Sequence, residues 1–297
     1  MVAHHAPPFS FVEEAWLILS STVSARLCVL PAPPCSMGEE EGVDMTRRKL
    51  NAQALGGAFA VGSLLLVLLV VVGVARGGQD AGAQEFTAPT VQPLPAEGNG
   101  AEFGEHGIAD LVDEAWLLKA AEDSGIPERA LRAYAGAEIA FRQDLPECRV
   151  DWATLAGIGY VESRHGTLRG GRIDGSGQQT PPIYGIPLDG TNSAEVPDTD
   201  GGELDGDDVW DRAVGPLQFI PSTWDYMGAD GNRDGIADPQ NIDDAALAAA
   251  RYLCRVGADL GTAGNWIEAV HRYNRSLAYN NQVADATDRY RSAVGAR

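Results

Sequence analysis

One carboxylate follows a long uncharged stretch in "LAGIGYVESRHG" (residues 155–166). Residues 152–161 carry no charge, and Glu162 comes directly after them. In a helix Glu162 would lie beside Leu155 and Ile158, on a face suited to burial. Burial disfavours the charged carboxylate and raises its pKa, which suits a general acid near neutral pH. From this stretch alone, a glutamate that points to solvent or pairs with a basic neighbour is an equally good interpretation.

A second segment, "AVGPLQFIPSTWDYMG" (residues 213–228), combines an amide with aromatic residues beside a Gly-Pro turn. Gln218 offers a hydrogen-bond donor and an acceptor, and Phe219 and Trp224 offer flat apolar faces. Amides suit the acetamido and hydroxyl groups of a sugar, and aromatic faces suit its C–H surfaces. The segment therefore indicates a sugar-binding wall, although aromatic residues near a proline turn more often belong to a core.

A third segment, "HRYNRSLAYNNQV" (residues 271–283), places polar and aromatic side chains close together. Tyr273, Asn274 and Tyr279 would form a polar, aromatic wall of a cleft. A helix end with polar surface residues explains the same spacing equally well, and His271 is more typical of a structural residue than of a catalytic one.

A fourth segment, "DGNRDGIADPQN" (residues 230–241), matches the start of a calcium loop of the EF-hand type. Its hard oxygen ligands alternate along the chain before a glycine that permits the sharp turn. The predicted ligands are Asp230, Asn232, Asp234, the carbonyl of Ile236, Asp238 and Asn241. The twelfth position is Asn241 instead of the usual bidentate glutamate, which should weaken the site. We expect a structural Ca²⁺ and no cofactor for the chemistry; an ordinary Asp/Gly turn is the alternative.

Helical patterns dominate from residue 108 onward, and the fold class predicted is α+β, predominantly α-helical. The stretch "DWATLAGIGYVES" is apolar around its whole circumference, as expected of a central core helix. About 190 residues suffice for one well-buried core. The other helical stretches are "DLVDEAWLLKAAEDSG", "IPERALRAYAGAEIAFRQ", "DDAALAAARYLCRVGADLG" and "NWIEAVHRYN".

A long insertion rich in Gly, Pro and Asp, Arg172 to Asp211, interrupts these helices, and Arg172 is its only basic residue. A loop of that length inside a compact domain is usually functional or disordered. Its carboxylates Asp205, Asp207 and Asp208 are candidates to reach a cleft. The string "DTDGGELDGDD" also suggests a second cation site.

The N-terminal part of the chain predicts export. Residues 50–75 carry no charge and are long enough to cross a membrane as a helix. Arg47, Arg48 and Lys49 precede them, so the N-terminus should stay in the cytoplasm and the remainder should lie on the cell-wall side. The predicted organisation is a cytoplasmic segment 1–49, an anchor 50–75, a flexible linker 76–107 and a C-terminal domain 108–297. A signal peptide cleaved near Ala83, which would make the protein secreted, is the alternative.

Residues 1–44 precede the basic segment without any pattern, which favours Met45 over Met1 as the initiator. That start would exclude two of the four cysteines and leave Cys148 and Cys254. In an oxidising compartment an even number of cysteines favours a disulfide. Two buried free thiols are the alternative.

The formal net charge of −20 makes nucleic acid an improbable partner, because phosphate binding depends on clustered Lys and Arg. A membrane, contacted by the N-terminal helix, is an expected partner. Acid-rich chains do recruit cations, in agreement with the calcium-loop pattern.

Taken together, "GYVESRHG", "DRAVGPLQFIPSTW", "DGNRDGIADPQNIDDAALAAARYLC" and "RYN" strongly resemble the MltB-like membrane-bound lytic murein transglycosylases, especially actinobacterial ones. The resemblance spans roughly residues 110–295. It implies a lysozyme-like transglycosylase (SLT) domain with a deep cleft for peptidoglycan glycan strands.

The resemblance also implies residue roles. Glu162 would be the single catalytic acid/base that cleaves the MurNAc-β-1,4-GlcNAc bond without water and leaves 1,6-anhydromuramoyl ends. The residues implied to bind substrate or line the cleft are Ser163, Gln218, Phe219, Tyr273 and Asn274. Ser163 would also support Glu162, whereas Arg164 beside it would oppose a raised pKa. The competing hypotheses are a lysozyme-type muramidase that hydrolyses the same bond and a non-catalytic wall-binding protein.

Overall fold

The computed structural model describes residues 85–191, 193–255 and 259–295. Within these ranges no helix combines the length and the apolar composition that crossing a membrane requires. The predicted cytoplasmic segment, the anchor at residues 50–75 and the possible cleavage site near Ala83 lie outside the described residues, and they stay predictions.

The described residues are predominantly helical, as the sequence predicts. The α-helices are α1 (Glu114–Ser124), α2 (Glu128–Asp144), α3 (Trp152–Ser163), α4 (Pro221–Met227), α5 (Ile242–Cys254), α6 (Ala263–Tyr273) and α7 (Leu277–Gly295). The strands are β1 (Arg172–Ile173), β2 (Gln179–Thr180), β3 (Tyr184–Pro187) and β4 (Arg212–Val214). They form two antiparallel pairs, β1–β2 and β3–β4, and this composition fits a lysozyme-like SLT domain.

Helix α3 is the centre of the core, and most of its residues are buried. The Asp151 carboxylate caps its first turn by accepting a hydrogen bond from the Thr154 N–H. Two glycines allow neighbouring helices to approach it. A Cβ at Gly157 would lie 2.6 Å from Thr287 Oγ1 on α7, and a Cβ at Gly159 would lie 2.1 Å from the Tyr134 hydroxyl oxygen on α2. The apolar character of α3 therefore reflects contact on all sides.

A disulfide joins Cys148, which precedes α3, to Cys254 at the end of α5. The two Cα atoms are 5.6 Å apart, and both residues are buried. The predicted pairing is confirmed. It links the segment that leads into α3 to the C-terminal end of α5.

The acid-rich insertion has local structure. Its strand β3 pairs with β4, and Leu188 and Val196 form a small buried cluster with Ile220. Several of its aspartates accept backbone N–H groups of the insertion itself: Asp198, Asp200, Asp205 and Asp207. The insertion therefore has a defined conformation and packs against the rest of the domain.

Residues 85–107 differ from the flexible linker predicted over residues 76–107, because they lie against the helices. Ala96 is buried, and its N–H donates to the Glu138 carboxylate at 3.1 Å. The Trp152 indole N–H donates to the Leu94 carbonyl at 3.0 Å. Hydrogen bonds with side chains of the helices, more than burial of apolar residues, hold this segment in place. Its sequence therefore shows little apolar periodicity.

Candidate active site

Glu162 lies at the C-terminal end of α3 and is half-buried. Its Oε1 accepts a hydrogen bond of 2.6 Å from the Tyr279 hydroxyl. Desolvation raises the pKa of Glu162 to about 8, and the hydrogen bond from Tyr279 opposes that rise. A carboxyl group with this pKa is protonated at neutral pH and can act as a general acid.

The basic neighbours of Glu162 do not pair with it. Arg164 has a left-handed backbone conformation (φ 55°) that ends α3, and its guanidinium lies 3.8 Å from the centroid of the Tyr160 ring. The side chain of His165 is buried and hydrogen-bonded to the hydroxyls of Tyr134 and Tyr290. Desolvation lowers the pKa of His165 to about 3, so it is neutral. The argument that Arg164 opposes a raised pKa is therefore wrong for this geometry.

Tyr279, on the first turn of α7, is completely buried. Burial raises the pKa of its hydroxyl well above 10, and the nearby Glu162 adds to that rise, so Tyr279 remains a donor across the physiological pH range. The start of α7 is fixed by two side chains. Ser276 Oγ accepts the Tyr279 N–H, and Asn274 Oδ1 accepts the Ser276 N–H at 3.0 Å.

Asn274 therefore differs from its predicted role. Only 2 % of its surface is exposed, and its side chain caps the turn between α6 and α7. It acts on Glu162 indirectly, because the turn that it stabilises carries Tyr279. The name α6–α7 corner is used below for residues 271–281.

Tyr273 connects this corner to the segment that carries Gln218. Its hydroxyl donates to the Leu217 carbonyl at 2.8 Å. Its ring is nearly parallel to that of Tyr279, with 6.5 Å between the centroids. Tyr273 is half-buried, and its predicted role in binding substrate stays a prediction.

Gln218 has a positive φ of 51° in the turn after Gly215, and its Nε2 donates to the Gly215 carbonyl at 2.9 Å. Among the described residues no donor is bonded to its Oε1, which faces strand β3: a Cβ at Gly185 would lie 3.3 Å from it. Gln218 is therefore a partly buried side chain with a free acceptor, which suits a sugar ligand.

Ser163 and Phe219 support the site from within the core. Ser163 is fully buried, and its Oγ donates to the Pro216 carbonyl at 2.6 Å and accepts the Gly166 N–H at 2.7 Å. Only 3 % of the Phe219 surface is exposed, and its ring packs edge-to-face against Tyr273. The expectation that they bind substrate is not met, because neither is open to a ligand. The expectation that Ser163 supports Glu162 stays a prediction.

The predicted calcium loop forms a turn stabilised by its own polar side chains. Asp230 accepts the N–H groups of Asp234 and Gly235, and Asn232 also accepts that of Asp234. Asp238 accepts hydrogen bonds from Gln240 N and Gln178 Nε2. Ile236 is exposed. The side-chain oxygens of Asp230, Asn232, Asp234 and Asp238 therefore already accept hydrogen bonds within the protein.

Asn241 differs from the other predicted ligands, because its side chain caps a helix. Its Oδ1 caps α5 by accepting the Asp243 N–H, and its Nδ2 donates to the Ser176 carbonyl. Asp244 lies beneath the loop instead and accepts the N–H groups of Gly231, Asn232 and Asp238. Desolvation raises the pKa of Asp244 to about 7. The sequence gives no sign that Asn241 caps a helix while Asp244 lies beneath the loop, because helix caps and metal ligands are drawn from the same residue types.

The carboxylates of Asp230, Asp234 and Asp238 do not all lie within 4.8 Å of one another. Among the described residues, the one group of three acidic side chains whose ligand atoms lie within 4.8 Å of one another is in the insertion: Asp198, Asp200 and Asp211. Asp211 is fully buried, and its carboxylate accepts hydrogen bonds from Thr199. The second cation site suggested by the sequence stays a prediction.

Residues 203–267 match the family model for the transglycosylase SLT domain. The match includes Gln218, Phe219 and the loop 230–241, whereas Glu162 precedes it and Tyr279 follows it. Neither the curated proteins nor the solved structures include a significant match to this chain. The family match supports a peptidoglycan-cleaving enzyme of the lytic transglycosylase class.

Proposed function

We propose that this protein is a lytic transglycosylase that cleaves the MurNAc-β-1,4-GlcNAc bond of peptidoglycan, with Glu162 as its single acid/base. One observation carries the proposal: a lone desolvated carboxyl group, whose pKa is raised to about 8, accepts a hydrogen bond from a buried tyrosine. Tyr273 connects this pair to Gln218 and to the part of the chain that matches the SLT family. The MltB-like subtype is part of the proposal.

In the first step the protonated Glu162 donates its proton to the glycosidic oxygen. The bond between that oxygen and C1 of the muramoyl residue breaks, and the GlcNAc residue leaves with a free hydroxyl. Positive charge then develops at C1, and Glu162 becomes a carboxylate. The Tyr279 hydroxyl, which already donates to Oε1, stabilises that carboxylate.

In the second step the C6 hydroxyl of the same muramoyl residue attacks C1. Its proton passes to the Glu162 carboxylate, which returns to its initial state. The product is a 1,6-anhydromuramoyl end, and no water is consumed. The substrate's own hydroxyl replaces the second carboxylate that ordinary glycosidases use.

Hydrolysis would need another group to activate water. Burial and the Tyr279 hydrogen bond are the causes of the shifted pKa of Glu162, and no other carboxylate among the described residues contributes to it. In the insertion, Asp205 accepts the N–H groups of Asp207 and Arg212. Asp207 pairs with the Arg212 guanidinium at 2.8 Å. These contacts of two of the three candidate carboxylates favour the non-hydrolytic reaction; the third, Asp208, is exposed.

The products of purified peptidoglycan digested by the protein distinguish the reactions. We expect mass spectrometry to find anhydromuropeptides, which are lighter than the hydrolytic products by one water molecule. Reducing-end products would instead identify a muramidase and direct attention to the insertion's carboxylates. Retained binding of glycan with neither product would identify a wall-binding protein.

Replacing Tyr279 with phenylalanine should slow cleavage about tenfold at neutral pH, because the Glu162 carboxylate loses a hydrogen bond while the site remains buried. The bond lowers the pKa of Glu162, so its loss raises that pKa further. The alkaline limb of the pH–rate profile should move upward by about one pH unit. The profile of Tyr226→Phe, at an exposed tyrosine of α4, should match the wild type. If the alkaline limb of the Tyr279→Phe profile does not move, the Tyr279 hydroxyl does not take part in catalysis.

We propose that the loop binds Ca²⁺ in a structural role through Asp230, Asn232, Asp234, Asp238 and the Ile236 carbonyl. The chemistry of these oxygen donors supports the proposal. Asn241 is left out of the proposed ligands because its Oδ1 caps α5. No catalytic step involves the ion. The backbone contacts of Asp244 already fold the loop, so the expected benefit of the metal is moderate.

Adding Ca²⁺ should raise the melting temperature by a few degrees, and EGTA should reverse the change, since a ligand that binds only the native state stabilises it. In the Asp234→Asn variant the melting temperature should respond less, because one charged ligand is lost. An equal melting temperature of the wild type with Ca²⁺ and with EGTA would contradict the calcium proposal.

We also propose that the protein acts on the cell-wall side of the membrane, held there by residues 50–75. Peptidoglycan lies on that side, and the Cys148–Cys254 disulfide is typical of an oxidising compartment. A protease that cannot cross the membrane should degrade the domain in intact protoplasts if this topology is correct. Protection of the domain would place it in the cytoplasm.

A further inference from the structure

The segment 85–91, called the strap below, is bonded to side chains of α7 along its length. The Asn281 side chain accepts hydrogen bonds from the N–H and hydroxyl of Thr87 at 3.0 and 3.1 Å, and donates to the Glu85 carbonyl at 2.9 Å. Further along α7, Asp288 accepts the N–H groups of Thr90 and Val91. The Arg291 guanidinium also donates to the Val91 carbonyl at 2.8 Å. The strap is thus fixed at the start of α7 and again about two helical turns further on.

The first of these points is the α6–α7 corner. The Phe86 ring meets the His271 ring edge-to-face on the α6 side, with 5.0 Å between centroids. On the α7 side, the buried Asn280 donates from Nδ2 to the Thr87 carbonyl at 2.7 Å. The strap therefore bridges the two helices whose junction carries Tyr279.

The corner is not held by its own hydrogen bonds alone. Two of its buried polar atoms, Asn280 Oδ1 and His271 Nδ1, have no protein hydrogen-bond partner among the described residues. A buried polar atom without a partner is unfavourable, so the local free energy that favours this conformation is reduced. Both residues contact the strap through their other atoms, which increases the importance of the strap for the geometry of the corner.

We propose that the strap positions Tyr279 for its hydrogen bond to Glu162, and that Asn281 is the positioning residue that fastens it. This inference rests on the proposed function for its catalytic meaning. It makes the activity of the helical domain depend on a segment that precedes all of its helices. Asn281 acts through Tyr279 and does not itself contact Glu162 in the described hydrogen bonds.

The test compares two substitutions in the full-length protein. Asn281→Ala removes strap hydrogen bonds at the corner, whereas Asp288→Ala removes strap hydrogen bonds about two turns away. Each side chain binds two or more strap groups, so a purely structural role predicts equal effects on the site. The measurements are the pKa of Glu162, followed by NMR of its labelled carboxyl carbon and assigned with Glu162→Gln, and the alkaline limb of the pH–rate profile.

We expect Asn281→Ala to raise the pKa of Glu162 by roughly half a pH unit, in the same direction as Tyr279→Phe, and to move the alkaline limb with it. Asp288→Ala should leave both unchanged. Phe86→Ala changes a residue outside the helices and should shift the pKa of Glu162 in the same direction. This variant takes the place of Asn281→Ala if Asn281→Ala fails to fold.

An unchanged Glu162 pKa in the corner variants, or an equal shift in Asp288→Ala, would overturn the inference. The NMR measurement requires no turnover. The wild type could release no lytic products while Asn281→Ala still shows the expected shift in the pKa of Glu162. That result would refute the proposed function but would leave the positioning role of the strap in place.

Discussion

Replacing Glu162 with glutamine should lower the rate of glycan cleavage about 10³-fold, because general acid–base catalysis commonly contributes 10²–10⁴-fold. The amide has nearly the same shape and can still accept the Tyr279 hydrogen bond, but it cannot donate a proton to the glycosidic oxygen. The measurement is the initial rate of anhydromuropeptide release at neutral pH. Glu268→Gln is the matched control, because Glu268 is exposed on α6 and pairs with Arg272. A Glu162→Gln variant with more than about a tenth of the wild-type rate would exclude a single acid/base.

The same variant carries a stability signature that is independent of turnover. Burial raises the pKa of Glu162 from 4.5 to about 8, so the folded protein binds this proton more tightly than the unfolded chain does. The contribution of this group to folding is therefore most favourable below pH 4.5, and it decreases as pH rises through 8. Glu162→Gln should raise the melting temperature at pH 8 more than at pH 4. Equal changes at both values would contradict the raised pKa.

The features that sequence predicts well here are those with a local cause. The uncharged run before Glu162 predicts a buried helix, and α3 is buried on nearly all sides. The Cys148–Cys254 pairing follows because only two cysteines remain after the basic N-terminal segment. Tyr279 was recognisable as part of a wall. Its bond to Glu162 was not predictable, since these residues are 117 positions apart and only the crossing of α3 with α7 brings them together.

The errors arise where one residue type serves two physical roles. Asn274 and Asn241 have side chains suited to ligands, yet both cap turns that lead into helices. Phe219 has a face suited to a sugar but lies in the core. The strap is a different case. Its polar, proline-containing sequence has the composition of a linker, and the partners that fix it are polar side chains of the distant helix α7.

Removing the disulfide should lower the free energy of unfolding more than any of the other substitutions predicted above. A bridge across 106 residues restricts the unfolded chain, and the chain-entropy model assigns such a loop about 4–5 kcal/mol. Replacing Cys148 and Cys254 together with alanine should therefore lower the free energy of unfolding by up to about 4 kcal/mol. For a domain of this size that corresponds to a melting temperature lower by roughly 10 °C.

Urea unfolding can identify where this loss arises. If the bridge acts on the unfolded state, the double variant should show a steeper dependence of the free energy on urea, because its unfolded chain expands and exposes more surface. A bridge that acted only through native packing would lower the midpoint and leave that slope unchanged. In protein expressed from Met1, the matched control replaces Cys28 and Cys35, which are not part of the bridge, and should unfold like the wild type. A loss below about 1 kcal/mol with an unchanged slope would show that the bridge does not restrain the unfolded chain.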